Sequence, residues 1–338
     1  MKRKVTVIIS SFALFLIIID AKTAISGGKE GLNLCIQTVV PALLPFFVIS
    51  GFLCKNLSGI NLPFLTPLGK LCGIPKGAEV LLMLGFLGGY PIGAKNVCDC
   101  VSSGTLDKQT AKRMLGFCSN AGPAFIFGMA GNLFSRDSIP WFLWLVHIAS
   151  AIIVGVVLPN RTNTAIVHIK KPNTPFIKIV ENSAKSMANV CCWVIMFRVV
   201  IAFCKRWFFW LFPIEIQVFL TGLFELSNGV IDLSCISCEG LKFIICSVLL
   251  SFGGICVAMQ TRSFTTSIGT GYYFPGKLLQ GCISFVISTL LQPIILSNSE
   301  IYIAPIALIA SATFVCLLSI LYLYRTKNNS RKMMSNLI

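Results

Sequence analysis

The stretch Glu79-Val-Leu-Leu-Met-Leu-Gly-Phe-Leu-Gly-Gly-Tyr-Pro-Ile-Gly-Ala-Lys95 is apolar along most of its length, yet it cannot be a straight helix. Gly88 and Gly89 are adjacent and Pro91 follows two residues later. Proline lacks the N–H that a helix interior needs, and paired glycines weaken the helix just before it. The stretch either crosses a membrane as a broken helix or enters and turns back. That choice fixes the orientation of every later segment.

Other apolar runs establish that a membrane is involved. Val5–Ile19, Ile139–Leu158, Leu241–Met259, Lys277–Leu296 and Ile301–Tyr324 are almost uncharged. A helix of about 20 residues spans a bilayer. The chain is 55% hydrophobic and 12% charged, about half the charge of an ordinary soluble domain. Backbone polar groups in hydrocarbon must bond internally, and the alternation of a barrel strand is missing. The expected fold class is an all-α integral membrane protein in the lipid bilayer.

Crossings are expected at 5–19, 34–54, 113–132, 140–159, 187–204, 241–260, 277–296 and 302–324, with 79–95 and 214–232 ambiguous. If both ambiguous stretches are re-entrant, 21 of the 28 lysines and arginines fall on one side. Six fall on the other, and Arg198 is left in a membrane segment. Positive residues accumulate on the cytoplasmic side. Both termini and the loops 96–113 and 160–186 are therefore expected to be cytoplasmic. This arrangement gives about eight transmembrane helices plus two re-entrant or broken segments. The order crossing, re-entrant, crossing, crossing occurs twice, and three crossings per unit invert the second copy. The expected organisation is an N-terminal signal-anchor helix in 1–30, a first repeat over 31–159 and a basic cytoplasmic loop over 160–186. A second, inverted repeat over 187–296 and a C-terminal helix with a basic tail over 297–338 complete it. Inverted repeats of broken helices are common in transporters, with binding near the midplane.

The net charge of +16 reads as topology rather than nucleic-acid binding, because the cations lie in short loops. Most of the fifteen cysteines lie within apolar runs, where they pack as small soft residues. Cys235-Ile-Ser-Cys238 could form a disulfide or half of a metal site, but no second such pair exists. No metal site and no cofactor are expected. Nucleophile–His–acid sets are missing too, so the chain is not read as an enzyme.

The polar residues of the apolar runs are the candidate site. Gly85, Gly89 and Gly93 could form a helix-packing face, and Gly88, Gly89, Tyr90 and Pro91 could break the helix and free backbone groups for a ligand. Lys95 ends the stretch. In Ser119-Asn-Ala-Gly-Pro123, Asn120 precedes Gly122 and Pro123; the amide could cap a carbonyl freed by a proline kink. Glu225 in Gly222-Leu-Phe-Glu-Leu-Ser-Asn-Gly229 is an acid at membrane depth, costing about 2.5–3.5 kcal/mol on insertion scales. It could pair with Arg198 or Lys95, or line an aqueous path with Asn228. Gln260 follows Phe252-Gly-Gly254. His147 could relay protons or make an interhelical hydrogen bond.

Taken in order, Gly31-Leu-Asn-Leu34, Val40-Pro-Ala-Leu-Leu-Pro-Phe-Phe47, Gly89-Tyr-Pro-Ile-Gly-Ala-Lys95 and Asn120-Ala-Gly-Pro123 open a longer pattern. Gly222-Leu-Phe-Glu225, Asn228-Gly229, Phe252-Gly-Gly254 and Gln260 continue it. The chain thereby resembles the YlbJ-type sporulation integral membrane proteins of the nucleoside-recognition (Gate) group, over about residues 31–290. The resemblance implies a membrane protein of spore formation, concerned with a stable cortex. Cys256 and Ala258-Met259 depart from the more polar family pattern beside Gln260. The expected function is a permease for a small polar or nucleoside-like solute, with a coupling ion and a homo-oligomer as further expectations. The alternative is a non-transporting scaffold for spore-envelope assembly.

Overall fold

The computed structural model describes residues 2–60, 62–159 and 175–296. It is helical throughout those residues, with no strand among them. Five helices there are long and apolar enough to cross a membrane: Ala21–Leu57, Ile139–Val157, Phe176–Trp207, Glu239–Phe264 and Tyr273–Ile295. The other expected crossings need correcting or lie elsewhere. The stretch 302–324 and the basic tail are outside the described residues, as is most of the loop 160–186.

Helix α1 (Lys2–Ile19) ends at Asp20, whose carboxylate accepts the backbone N–H of Thr23 and starts α2 (Ala21–Leu34). A π-helical turn at Cys35–Val39 joins α2 to α3 (Val40–Leu57) without interruption. The crossing expected at 34–54 is therefore part of a 37-residue helix. The stretch Ala21-Lys-Thr-Ala24, which looks like a cleavage site, forms the first turn of α2. The short α4 (Thr66–Leu71) follows.

The opening stretch of the sequence is a helical hairpin. α5 (Glu79–Leu87) stops at Gly88, the chain turns through Gly89 and Pro91, and α6 (Ile92–Ser102) packs back on α5. Gly89 has φ +81°, a conformation that disfavours any residue with a β-carbon. The segment 113–132 is not a continuous crossing. α7 (Lys108–Met114), capped by Asp107, gives way to an irregular stretch over 115–122. Helix resumes at α8 (Pro123–Phe125) and runs on through π and 3₁₀ turns to Leu133. The unwinding has a steric cause: the Cys118 carbonyl lies between the arms of the hairpin, against Gly85 and Gly93. α9 (Ile139–Val157) follows.

The second half has the same order. A long helix, α10 (Phe176–Trp207), precedes a hairpin of α11 (Ile214–Phe224) and α12 (Leu226–Asp232), broken at the extended Glu225. α13 (Glu239–Phe252) and α14 (Gly254–Phe264) form one broken crossing. The break is made by Gly253 and Gly254, both in the left-handed region with φ +83° and +84°. α15 (Tyr273–Ile295) closes the described chain.

The helices bury polar faces and expose apolar ones. On α15, Lys277, Gln280, Ser284, Ser288 and Gln292 are buried, while Phe274, Leu278, Leu290 and Ile294 are exposed. Small and polar contacts join helices inside a bilayer, where lipid is as apolar as leucine. Three cations that hydropathy assigns to loops are in fact buried: Arg113, Lys242 and Lys277. Arg113 donates to the Gly155 and Leu158 carbonyls at the end of α9, and Lys242 donates to the Leu133 carbonyl.

Candidate functional site

Three of the chain breaks converge, with Gln260 of α14 beside them. The hairpin tip Gly88–Gly89–Tyr90, the irregular Ala121–Gly122, the extended Glu225 and the Gln260 side chain line one cavity of about 60 Å³. Leu43 and Phe46 of α3 and Val190 and Val194 of α10 form its apolar wall. A β-carbon on Gly89 would come within 3.2 Å of the Gly122 nitrogen, and one on Gly122 within 3.0 Å of the Gly89 backbone. Two backbones thus touch at the cavity edge, which explains the need for glycine at both positions.

Glu225 is buried and caps α12 with its own side chain. Its Oε2 accepts the Asn228 backbone N–H at 2.8 Å and the Asn228 side-chain amide at 2.6 Å. Neither cation proposed as its partner is there. Arg198 pairs with Glu30, and Lys95 pairs with Asp99 at 2.7 Å. No ion pair to Glu225 occurs among the described residues. The carboxylate therefore borders the cavity without a counter-charge. Asn228 is spent on Glu225 and does not line the cavity. Gln260 does line it, with its amide donating to Cys256 Sγ at 3.3 Å.

Behind Tyr90 lies a polar cluster centred on Lys277. The Lys277 ammonium donates to the Tyr90 hydroxyl at 3.2 Å, Asn120 Oδ1 at 3.1 Å and Gln280 Oε1 at 2.6 Å. It also sits 5.0 Å from the centroid of the Tyr90 ring, within cation–π range. All three acceptors are neutral. The Tyr90 hydroxyl lies 3.1 and 3.2 Å from the Leu250 and Ser251 carbonyls at the broken end of α13. Asn120 caps the freed Phe117 carbonyl at 2.7 Å, as expected of an amide beside a proline kink, and accepts from Gln280 as well. His147 Nε2 accepts the Ala121 N–H at 3.0 Å, and Nδ1 lies 3.3 Å from Ser251 Oγ. A ring nitrogen that accepts is unprotonated, so the neutral His147 carries its proton on Nδ1. His147 thus joins α9 both to the irregular stretch at Ala121 and to α13 at Ser251.

Of the sequence-predicted residues, Gly88, Gly89, Tyr90, Gly122, Glu225 and Gln260 meet around the cavity. Pro91 and Pro123 start α6 and α8 beside it. Asn120 stands in the Lys277 cluster, and Lys95 faces a different, wider cavity together with Asp99. Cys235 and Cys238 are exposed free thiols, with no disulfide between them. No group of three or more metal-ligating residues occurs among the described residues. The signal for Lys277 was present as Lys277-x-x-Gln280 with Ser284, Ser288 and Gln292, a polar stripe at helical spacing.

Comparison with known proteins agrees with a membrane-embedded chain. The chain is similar to the sporulation integral membrane protein YlbJ of Bacillus subtilis (strain 168). The two are 27% identical over 343 residues, covering 85% of this chain and 82% of that protein. No family profile and no solved structure matches the chain.

Proposed function

Taking an integral membrane protein of the YlbJ sporulation type as the premise, we propose that this chain is a permease for a small polar solute. Its site is the cavity between the two hairpin tips. The observation that carries the reading is the meeting of Gly89 and Glu225 on one cavity, although 136 residues separate them in sequence. Broken helices whose tips meet are how inverted-repeat transporters build a midplane site. We read residues 31–159 and 187–296 as the two inverted units. The cavity measures about 60 Å³, whereas ligand pockets commonly run to about 300–1,000 Å³. A nucleoside-sized solute therefore requires the tips to part. Glu225 and Gln260 would offer it an acceptor and an amide.

A scaffold reading is favoured by one observation: Asn120, Asn228, Tyr90 and Lys277 are all satisfied by protein groups. Counterflow in proteoliposomes separates the two. Pre-loaded vesicles should accumulate labelled nucleoside or another small polar solute faster than protein-free vesicles. No accumulation of any solute tested favours the scaffold. Orientation is tested separately. With both hairpins re-entrant, a cysteine at Asp107 on a cysteine-free background resists an impermeant outside reagent, and one at Glu239 reacts. The reverse pattern would invert the topology.

A further inference from the structure

A second cavity, of about 570 Å³, is lined by Lys55 and Ser58 of α3, Lys95 and Asp99 of α6, and Asn182 and Lys185 of α10. We propose that it binds a phosphate or carboxylate group, and on the permease reading it is the mouth of the solute path.

α3 and α10 run past both cavities. α3 lines the small cavity from Thr38 to Phe46 and the wide one from Gly51 to Ser58. α10 runs the other way, from Ile179 and Lys185 at the wide cavity to Val190 and Val194 at the small one. α6 leads from the Tyr90 tip to Lys95 and Asp99. Lys95 is the fourth residue of α6, about 4.5 Å along the helix from Ile92 at 1.5 Å per residue.

Charge and donors favour an anion. Three ammonium groups and one carboxylate line the wall. The carboxylate is taken: Lys95 holds Asp99 at 2.7 Å. Lys55 and Lys185 make no ion pair among the described residues. Lys178, on the same helix as Lys185 but outside the cavity, is paired with Glu181. The sequence 160–174 that precedes α10 contains no acidic residue to neutralise them. The hydroxyls of Ser102, Ser103, Ser183 and Ser186 donate to carbonyls of their own segments. The donors left for a ligand are thus the Lys55 and Lys185 ammonium groups, the Asn182 amide and the Lys95 N–H bonds not used by Asp99. Ammonium groups bind phosphate and carboxylate oxygens through short charge-assisted hydrogen bonds.

A free solute and an anionic lipid headgroup present the same chemistry, so the test has two arms. In the first, full-length protein in phosphatidylcholine nanodiscs is titrated with inorganic phosphate and with citrate, following the unfolding midpoint. In the second, phosphatidylglycerol retained after delipidation is counted by native mass spectrometry. The expected result is saturable stabilisation by phosphate or citrate, at least about tenfold weaker in Lys55→Gln/Lys185→Gln. Lys178→Gln should bind as the wild type does, and Lys55→Arg/Lys185→Arg should restore binding if the double variant loses it. Lysine-dependent retention of phosphatidylglycerol with no response to free anions assigns the site to a headgroup and removes it from the solute path. Binding by neither ligand, or binding unchanged in the double variant, overturns the proposal. Neither arm measures flux, so the site can stand while the permease reading fails, and the reverse.

Discussion

The two helical hairpins share a plan and differ in what they grip. The arms of α5–α6 close on a third segment: β-carbons at Gly85 and Gly93 would lie 2.0 and 1.9 Å from the Cys118 carbonyl. The arms of α11–α12 close on each other, since a β-carbon at Gly229 would lie 2.1 Å from Gly222 Cα. The tips differ in the same sense. Tyr90 reaches out to α13 and Lys277, whereas Glu225 turns inward to Asn228 on its own hairpin. The first hairpin therefore closes on a third segment, while the second closes on itself and packs its arms against α13 and α14.

Substitutions can break or sharpen that contrast. The largest effect is expected from Gly93→Ala, because its neighbour is backbone and cannot rotate away. Overpacking costs about 1–3 kcal/mol and more where nothing yields. Folded protein in the membrane, measured by fluorescence-detected size exclusion, should fall severalfold. Unchanged yield would mean that the clamp on Cys118 is not close. Gly89→Ala comes next. Its left-handed φ costs a residue with a β-carbon about 1–2 kcal/mol. Most of the protein should remain while transport is lost; wild-type transport would separate Gly89 from the site. Tyr90→Phe should be the mildest for stability, about 1 kcal/mol for a lost hydrogen bond, since the ring and its cation–π contact remain. A fall of a few degrees in the unfolding midpoint is expected. A change as large as that of Gly93→Ala would make Tyr90 the main fastening of the first tip.

Much of this architecture was legible in the sequence. Long uncharged runs specify membrane helices, and the breaks at Gly88–Pro91 and Gly122–Pro123 are read directly from glycine and proline. The break at Gly253–Gly254 falls inside the crossing expected at 241–260 and was not read as one. Glu225 stood out as an acid in an apolar run. Partners were harder to read. Glu225 could be matched to distant Arg198 on charge alone, but Arg198 faces Glu30 on α2, and nothing local specifies that helix pairing. Lys95 had its partner one turn away at Asp99, the nearer signal. Lys277 and Arg113 sit at the edges of apolar runs, where a hydropathy reading counts a cation as loop. Only the polar stripe on α15 marks Lys277 as inward-facing. The crossing at 113–132 unwinds because the first hairpin packs on it, a tertiary cause with only Gly122–Pro123 as a local trace.

The central claim is that the cavity between the tips handles solute and that Glu225 acts there through its charge or proton. The most direct measurement is Glu225→Gln in proteoliposomes, with the amount of folded protein determined in the same preparation as uptake. Glutamine keeps an acceptor for Asn228 and removes a charge that is costly at membrane depth, so the protein should be present at the wild-type level or above. The account predicts that uptake is nonetheless abolished, and that Glu225→Asp, with its shorter reach, does not restore it. Wild-type uptake by Glu225→Gln, or loss of protein and uptake together, would contradict the account.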